Sequence, residues 1–289
     1  DNLENSGNWF SYRYLHGFPT KDISMKFLSI SIFLLSFVFF YISCGKTEDE
    51  TKTSSTDNSS NSDNQTNIET PSIVVVGTSG TILTSNDGDS WFSRNSVKTQ
   101  SLNGIDYLNN TFITVGDEST VLTSNDGITW LQTILGGSVL LNGINYAKDK
   151  YIIVSGDWYN ELGKIFISND GNTWDNIKDT NYLYRVSFVN NRFIAVGKSG
   201  TLLSSTDGNS WDSITTGTDA NLWNVNYGNN TYLIVTDHKK VLTSKDGVSW
   251  ETSKTLASVR FFGSVFANNV FVIVGDKGTI LTSPDTITW

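Results

Sequence analysis

From residue 72 onward the apolar residues come in short alternating runs, and no apolar period near 3.6 persists. Runs such as IVVVG (Ile73–Gly77), TFITVG (Thr111–Gly116) and TYLIVT (Thr231–Thr236) are β-branched and aromatic, and clusters of Asn, Asp and Gly bound them. Side chains alternate faces along a strand, and those turn residues accept backbone conformations that others resist. The pattern predicts an all-β body over residues 72–289.

The runs themselves recur. SNDGDSW, SNDGITW, SNDGNTW, STDGNSW, SKDGVSW and SPDTITW end at Trp91, Trp130, Trp174, Trp211, Trp250 and Trp289, spaced 39, 44, 37, 39 and 39 residues apart. A period near 40 marks an array of supersecondary units, and the blades of a propeller are the commonest all-β case. We therefore expect a β-propeller of four-stranded antiparallel blades. It has six blades, or seven if the chain is cut short.

Two turns can be typed within each module. Five copies place a two-residue connection between matching aromatics: Tyr107 and Phe112, Tyr146 and Tyr151, Phe188 and Phe193, Tyr227 and Tyr232, Phe266 and Phe271. Asn-Asn or Lys-Asp at the centre predicts a type I′ hairpin with the aromatics paired across it. In the second turn, Asp87, Asp126, Asp170, Asp207, Asp246 and Asp285 are placed to accept hydrogen bonds from their own backbone, with the tryptophan turning inward. Glycine supplies the left-handed residue in five copies, and Thr286 stands there in the sixth.

That second motif resembles the Asp-box, or BNR repeat, of sialidases, some xyloglucan hydrolases, sortilin-type receptors and the photosystem II assembly-factor family. These copies have one residue fewer between aspartate and tryptophan. The resemblance covers the repeats alone and implies structural staples at the outer edge of each blade, away from the ligand face. A calcium site is disfavoured, because Ile128, Asn172, Asn209 and Val248 stand where further oxygen ligands would alternate. No metal or cofactor is expected.

Counting strands from the axis outward as A to D, the first module supplies B, C and D and the last stops after C. That makes 22 strands where six closed blades need 24. A bare final edge invites aggregation, so the chain is expected to be cut short at its C-terminus.

The chain carries a net charge of −9 over 289 residues and has no basic stripe, which sets nucleic acid aside. Its only methionine, Met25, is followed by Lys26 and a 16-residue apolar run ending at Ile42. This reads as a signal peptide over residues 25–43, with residues 1–24 a non-native upstream extension. The only cysteine, Cys44, follows at once, and the junction resembles the lipobox of bacterial lipoproteins. An uncleaved anchor helix is the alternative. Residues 44–71 hold too few apolar side chains to fold and read as a disordered tether spanning on the order of 28 Å. The expected location is the bacterial cell envelope, with a lipid on Cys44 holding the body at a membrane.

Function is then sought at the end of the propeller opposite the two typed turns, where loops are free to differ. The B–C turn of the third module is longer by about four residues than the minimal turns and carries Trp158 and Tyr159. The first positions of the A strands contribute Asn103, Asn142, Tyr184, Trp223 and Phe262, with Arg185 beside Tyr184. Trp, Tyr and Arg dominate interaction hot spots, so Trp158, Tyr159, Tyr184, Arg185, Trp223 and Phe262 form the expected binding patch for a protein or glycan. The alternative is that Tyr184, Trp223 and Phe262 merely plug the channel.

A glycoside hydrolase of sialidase-like or xyloglucanase-like type is the competing function. The sialidase resemblance implies three clustered arginines and an Arg-Ile-Pro motif, yet the later modules hold only Arg185, Arg192 and Arg260, and no such motif occurs. Glu118, Glu161 and Glu251 are the only glutamates of the blades, too few for facing carboxylates across the channel. The chain reads as a non-catalytic binding or assembly module.

Overall fold

Alternating runs separated by turn residues fold here as a series of antiparallel meanders. The computed structural model describes residues 40–44 as backbone, together with residues 70–157, 159–253, 255–256 and 258–289. The expected upstream extension, most of the leader and tether, and Trp158 lie outside the described residues.

Six sheets follow one another, making a six-bladed β-propeller. Blade one comprises β1 (Phe40–Cys44), β2 (Ile73–Gly77), β3 (Ile82–Ser85) and β4 (Phe92–Arg94). Blade two comprises β5 (Leu102–Leu108), β6 (Thr111–Gly116), β7 (Thr120–Ser124) and β8 (Leu131–Ile134). Blade three comprises β9 (Leu140–Ala147), β10 (Lys150–Gly156), β11 (Leu162–Ser168) and β12 (Asp175–Asn181). Blade four comprises β13 (Leu183–Val189), β14 (Arg192–Gly197), β15 (Leu202–Ser205) and β16 (Asp212–Ser213). Blade five comprises β17 (Leu222–Gly228), β18 (Thr231–Thr236), β19 (Val241–Ser244) and β20 (Glu251–Thr252). Blade six has three strands, β21 (Phe261–Ala267), β22 (Val270–Gly275) and β23 (Thr279–Ser283). No helix among the described residues is long and apolar enough to cross a membrane.

The strand count corrects the sequence reading. Blade one has four strands, not three, because Phe40–Cys44 pairs antiparallel with Ile73–Gly77 from Phe40 opposite Gly77 to Cys44 opposite Ile73. Short aromatic and β-branched runs satisfy a leader's apolar core and a sheet's inner strand alike, so composition does not separate the two.

The hairpins form as their residues dictate. Both central residues of the A–B turns of blades two to six lie at positive φ, from Asn229 at 45° to Asn269 at 62°, as a type I′ turn requires. The flanking rings face each other with centroids 4.5–4.8 Å apart.

Core formation is pairwise between neighbouring blades. Ile113, Val115 and Val121 of blade two pack on Leu141, Ile144 and Tyr151 of blade three. The same exchange recurs at each of the five successive contacts, for instance Ile194, Val196 and Leu202 against Leu222, Val225 and Tyr232. Fully burying one such side chain is worth about 1.5–3 kcal/mol, so each blade-to-blade contact contributes to stability through several buried side chains.

Candidate functional site

The acidic turns lie at one end of the propeller with the A–B hairpins. Lys148 of one hairpin donates to the carbonyl of Thr206 in the next blade's acidic turn, and Asn229 donates to that of Pro284. Inside each turn the serine hydroxyl donates to its aspartate at 2.9–3.0 Å. The same aspartate oxygen accepts from the two amides that follow, as in Asp87 with Asp89 and Ser90. Those amides are the main reason Asp87 and Asp246 are held down to about 2. Asp170, Asp207 and Asp285 are lowered by the same kind of contact. At Asp126 burial pushes the other way, and the amides of Thr129 and Ile128 with the Ser124 hydroxyl leave a net lowering. Indole N–H groups of Trp91, Trp130, Trp211, Trp250 and Trp289 close the turn on the carbonyl three residues back. Trp174 packs at the equivalent position with its indole N–H buried and unpartnered. The six carboxylates serve six separate turns, each accepting from its own serine and its own amides.

The opposite end carries the chemistry that differs between blades. The first residues of each A strand from blade two to blade six contain a β-bulge, and the extra residue is Asn103, Asn142, Tyr184, Trp223 or Phe262. A bulge re-aims the side chain it carries. Asn103 uses its amide to reach the Leu141 carbonyl of the next blade at 3.1 Å, and Asn142 reaches that of Leu183 at 2.7 Å. The later blades replace this hydrogen bond with an aromatic ladder. Tyr184 stacks on Trp223 at 4.2 Å, and Trp223 meets Phe262 edge-on at 5.5 Å.

Burial limits what this ladder can offer. Tyr184, Arg185, Trp223 and Phe262 are 9%, 5%, 6% and 3% exposed. A partner can meet only their edges. Tyr159 is the opposite case at 97% exposed. Its loop is braced, since Asp157 accepts from the Tyr159 amide and from Asn160, which lowers the Asp157 carboxyl. Glu161 of that loop pairs with Lys198 of blade four. The structure thus brings Tyr184, Trp223 and Phe262 together, keeps Arg185 buried on the same strand as Tyr184, and sets Tyr159 apart on an exposed tip.

Sequence reasoning missed the charged rim around the ladder. Asp117, Asp157, Lys198, Asp237 and Asp276 each open a B–C turn, and aligning GDEST, GDWYN, GKSGT, TDHKK and GDKGT would have shown the column. Burial raises Asp117, although Asn103 donates to it at 2.7 Å. Asp237 accepts from both the amide and the side chain of Asn221. Arg260 donates to Asp276 at 2.8 Å and lies 5.4 Å over the Phe262 ring. The Tyr184 hydroxyl is pushed up by burial, with Asp237 and Glu161 adding to it. Among the described residues no three His, Cys, Asp or Glu side chains are grouped to hold a metal ion.

No protein-family model matches the chain, and no curated protein matches it in sequence. Solved structures do. "YCF48 bound to D1 peptide" is 18% identical with a TM-score of 0.58, covering 73% of each chain. YCF48 from Cyanidioschyzon merolae is 15% identical with a TM-score of 0.58, over 75% of this chain and 80% of that one. A streptogramin B lyase is 10% identical with a TM-score of 0.60, over 72% of this chain and 78% of that one. At such identities the likeness speaks for architecture alone, and the architecture is that of a β-propeller.

Proposed function

We propose that this propeller is a non-catalytic binding or assembly module that engages a protein segment at its B–C turn end. The observation that carries the reading is the division of labour between the two ends. At one end, conserved geometry in every blade is consumed by the fold's own turns. At the other, an exposed aromatic tip, Tyr159, stands near a rim of unlike charges in which Lys198 and Arg260 alternate with aspartates. A propeller of the same fold is named as holding a peptide, which supports a peptide ahead of a glycan. Another is named as a lyase, so architecture leaves the glycosidase alternative to experiment.

The finer reading adds the envelope. Cys44 carries the lipid, residues 45–71 form the tether, and the body stands off the membrane surface. Cleavage before Cys44 would remove four of the five residues of β1 and free the inner edge of blade one. Mass spectrometry of the membrane fraction tests this: a mature chain beginning at diacylated Cys44 is the expected result, and an intact Phe40–Cys44 segment rejects the anchor.

Pull-down from envelope extract with the full chain, beside a glycan array, tests the partner class. Tyr159→Ala is expected to reduce capture about tenfold or more, as loss of an exposed hot spot does, with folding unchanged. Undiminished capture would remove Tyr159 from the site, and turnover of a fluorogenic sialoside would overturn the non-catalytic reading.

A further inference from the structure

We infer that Asp126–Gly127 in blade two is the acidic turn at which this chain converts aspartate to isoaspartate, and that a serine hydroxyl guards the equivalent bond elsewhere. Five of the six acidic turns contain an Asp-Gly bond, at Asp87, Asp126, Asp170, Asp207 and Asp246. Glycine lacks a Cβ and is conformationally permissive, so its amide reaches the preceding carboxyl more readily than that of any other residue. The glycine nitrogen attacks Cγ of the protonated aspartate. The N–Cγ bond forms, the Cγ–OH bond breaks, and the amide proton leaves with that hydroxyl as water. Water then opens the resulting succinimide at the former backbone carbonyl, and the chain now runs through the side-chain carbon. The mass is unchanged and the backbone is one carbon longer.

A glycine N–H that donates to a hydroxyl is fixed in direction, and reaching Cγ then costs that hydrogen bond. Gly88, Gly171, Gly208 and Gly247 donate in this way to Ser85, Ser168, Ser205 and Ser244 at 2.8–2.9 Å. In the sixth turn Thr286 does the same with Ser283 at 2.8 Å. In blade two the Ser124 hydroxyl donates to Asp126, but among the described residues it accepts nothing from Gly127. Two further features set this turn apart. A Cβ on Gly127 would meet Pro71 Cγ at 2.7 Å, whereas at Gly171, Gly208 and Gly247 it would first meet an aromatic ring at 3.2–3.6 Å. Burial is the largest influence on the Asp126 carboxyl and opposes its ionisation, although the net shift is downward. Backbone amides come first at Asp87, Asp170, Asp207 and Asp246, and they favour the charged form, which is the poorer substrate for loss of water. The two Asn-Gly bonds, at Asn103 and Asn142, lie within strands with their side-chain amides held by carbonyls of the next blade. Conversion at Asp126 would displace the oxygen that accepts from Ile128 and Thr129, and so loosen the turn that leads into β8.

Incubating the folded full chain in mild acid and locating isoaspartate by electron-transfer fragmentation of its peptides tests the assignment. Isoaspartate is expected to form at Asp126 about fivefold faster than at any other Asp-Gly bond, the rate equivalent of one ordinary hydrogen bond. In the urea-unfolded chain the five sites are expected to react alike, since all share the same dipeptide. Ser205→Ala is expected to raise the rate at Asp207 to about that at Asp126 and to leave Asp126 unchanged. Where that variant does not fold, the wild-type comparison decides alone. Several results overturn the inference: no isoaspartate at Asp126, equal rates at the five sites of the folded chain, or a lead at another turn. A lead of Asp126 that persists in urea does so too, as does an unchanged rate at Asp207 in folded Ser205→Ala.

Discussion

The ring of Tyr184 lies stacked on the ring of Trp223, their centroids 4.2 Å apart and their planes 25° from parallel, across the contact between blades four and five. The two residues are the extra members of equivalent bulges, so the same backbone irregularity in successive blades brings them together. Truncating Trp223 removes this stack and the edge contact to Phe262 at once. Trp223→Ala is expected to cost about 3–5 kcal/mol, the range for emptying a large aromatic site. Trp223→Phe should recover more than half of that in urea denaturation. An alanine variant as stable as the wild type would show that the ladder does not hold the blades together.

Acid should weaken the fold through the acidic turns. Asp87 and Asp246 are held at about 2 against an ordinary 3.8, chiefly by backbone amides and then by their serine hydroxyls. A depressed folded-state value means that the folded chain keeps the carboxylate charged to lower pH than the unfolded chain does. The stabilisation is therefore complete above 3.8 and disappears as the pH falls through about 2. The urea midpoint is expected to drop between those values, and Asp87→Asn with Asp246→Asn should flatten the drop. An unchanged profile in the double variant would sever the link between these turns and acid sensitivity.

Thr286 occupies the position that glycine fills in the other five acidic turns, and it does so at φ 65°. A β-branched residue there is strained, by roughly 1–2 kcal/mol for a left-handed L-residue. Thr286→Gly is expected to stabilise by about 1 kcal/mol, partly offset by the freer unfolded chain. The reverse change, Gly247→Thr, should destabilise more, because a Cβ at Gly247 meets the Tyr232 ring at 3.2 Å as well as the unfavourable φ of 75°. Thermal melts of the two variants should move in opposite directions.

Between blades five and six the side chain of Asn226 donates to Asn224 at 2.7 Å and to the Ser264 hydroxyl at 2.7 Å, and that hydroxyl donates to Asn224 at 2.8 Å. All three residues are buried. Asn226→Leu leaves buried polar partners without it and is expected to cost about 1–3 kcal/mol. Asn226→Asp should cost more at neutral pH than at pH 4, because it places a charge in the same buried group. Equal stability of the aspartate variant at both pH values would argue against a closed network.

Where the sequence was legible, the cause was local. Asn-Asn and Lys-Asp fix their own hairpins, and a serine, an aspartate and three amides within six residues build the acidic turn unaided, so period, strand class and both turn types could be read directly. The bulge that carries Asn103, Asn142, Tyr184, Trp223 and Phe262 was not legible, because it is a mismatch of register between two strands and leaves no mark on either alone. Burial of Arg185 and the pairing of Phe40–Cys44 with Ile73–Gly77 each depend on residues from segments distant in the chain, whereas the charged column at Asp237 and Asp276 lay in the aligned turns. The sequence by itself determined the module and left the blade number at six or seven. Only the tertiary structure decided which side chains are covered, since coverage is set by whichever neighbour arrives: Tyr184, Arg185, Trp223 and Phe262 are buried while Tyr159 stays in the open.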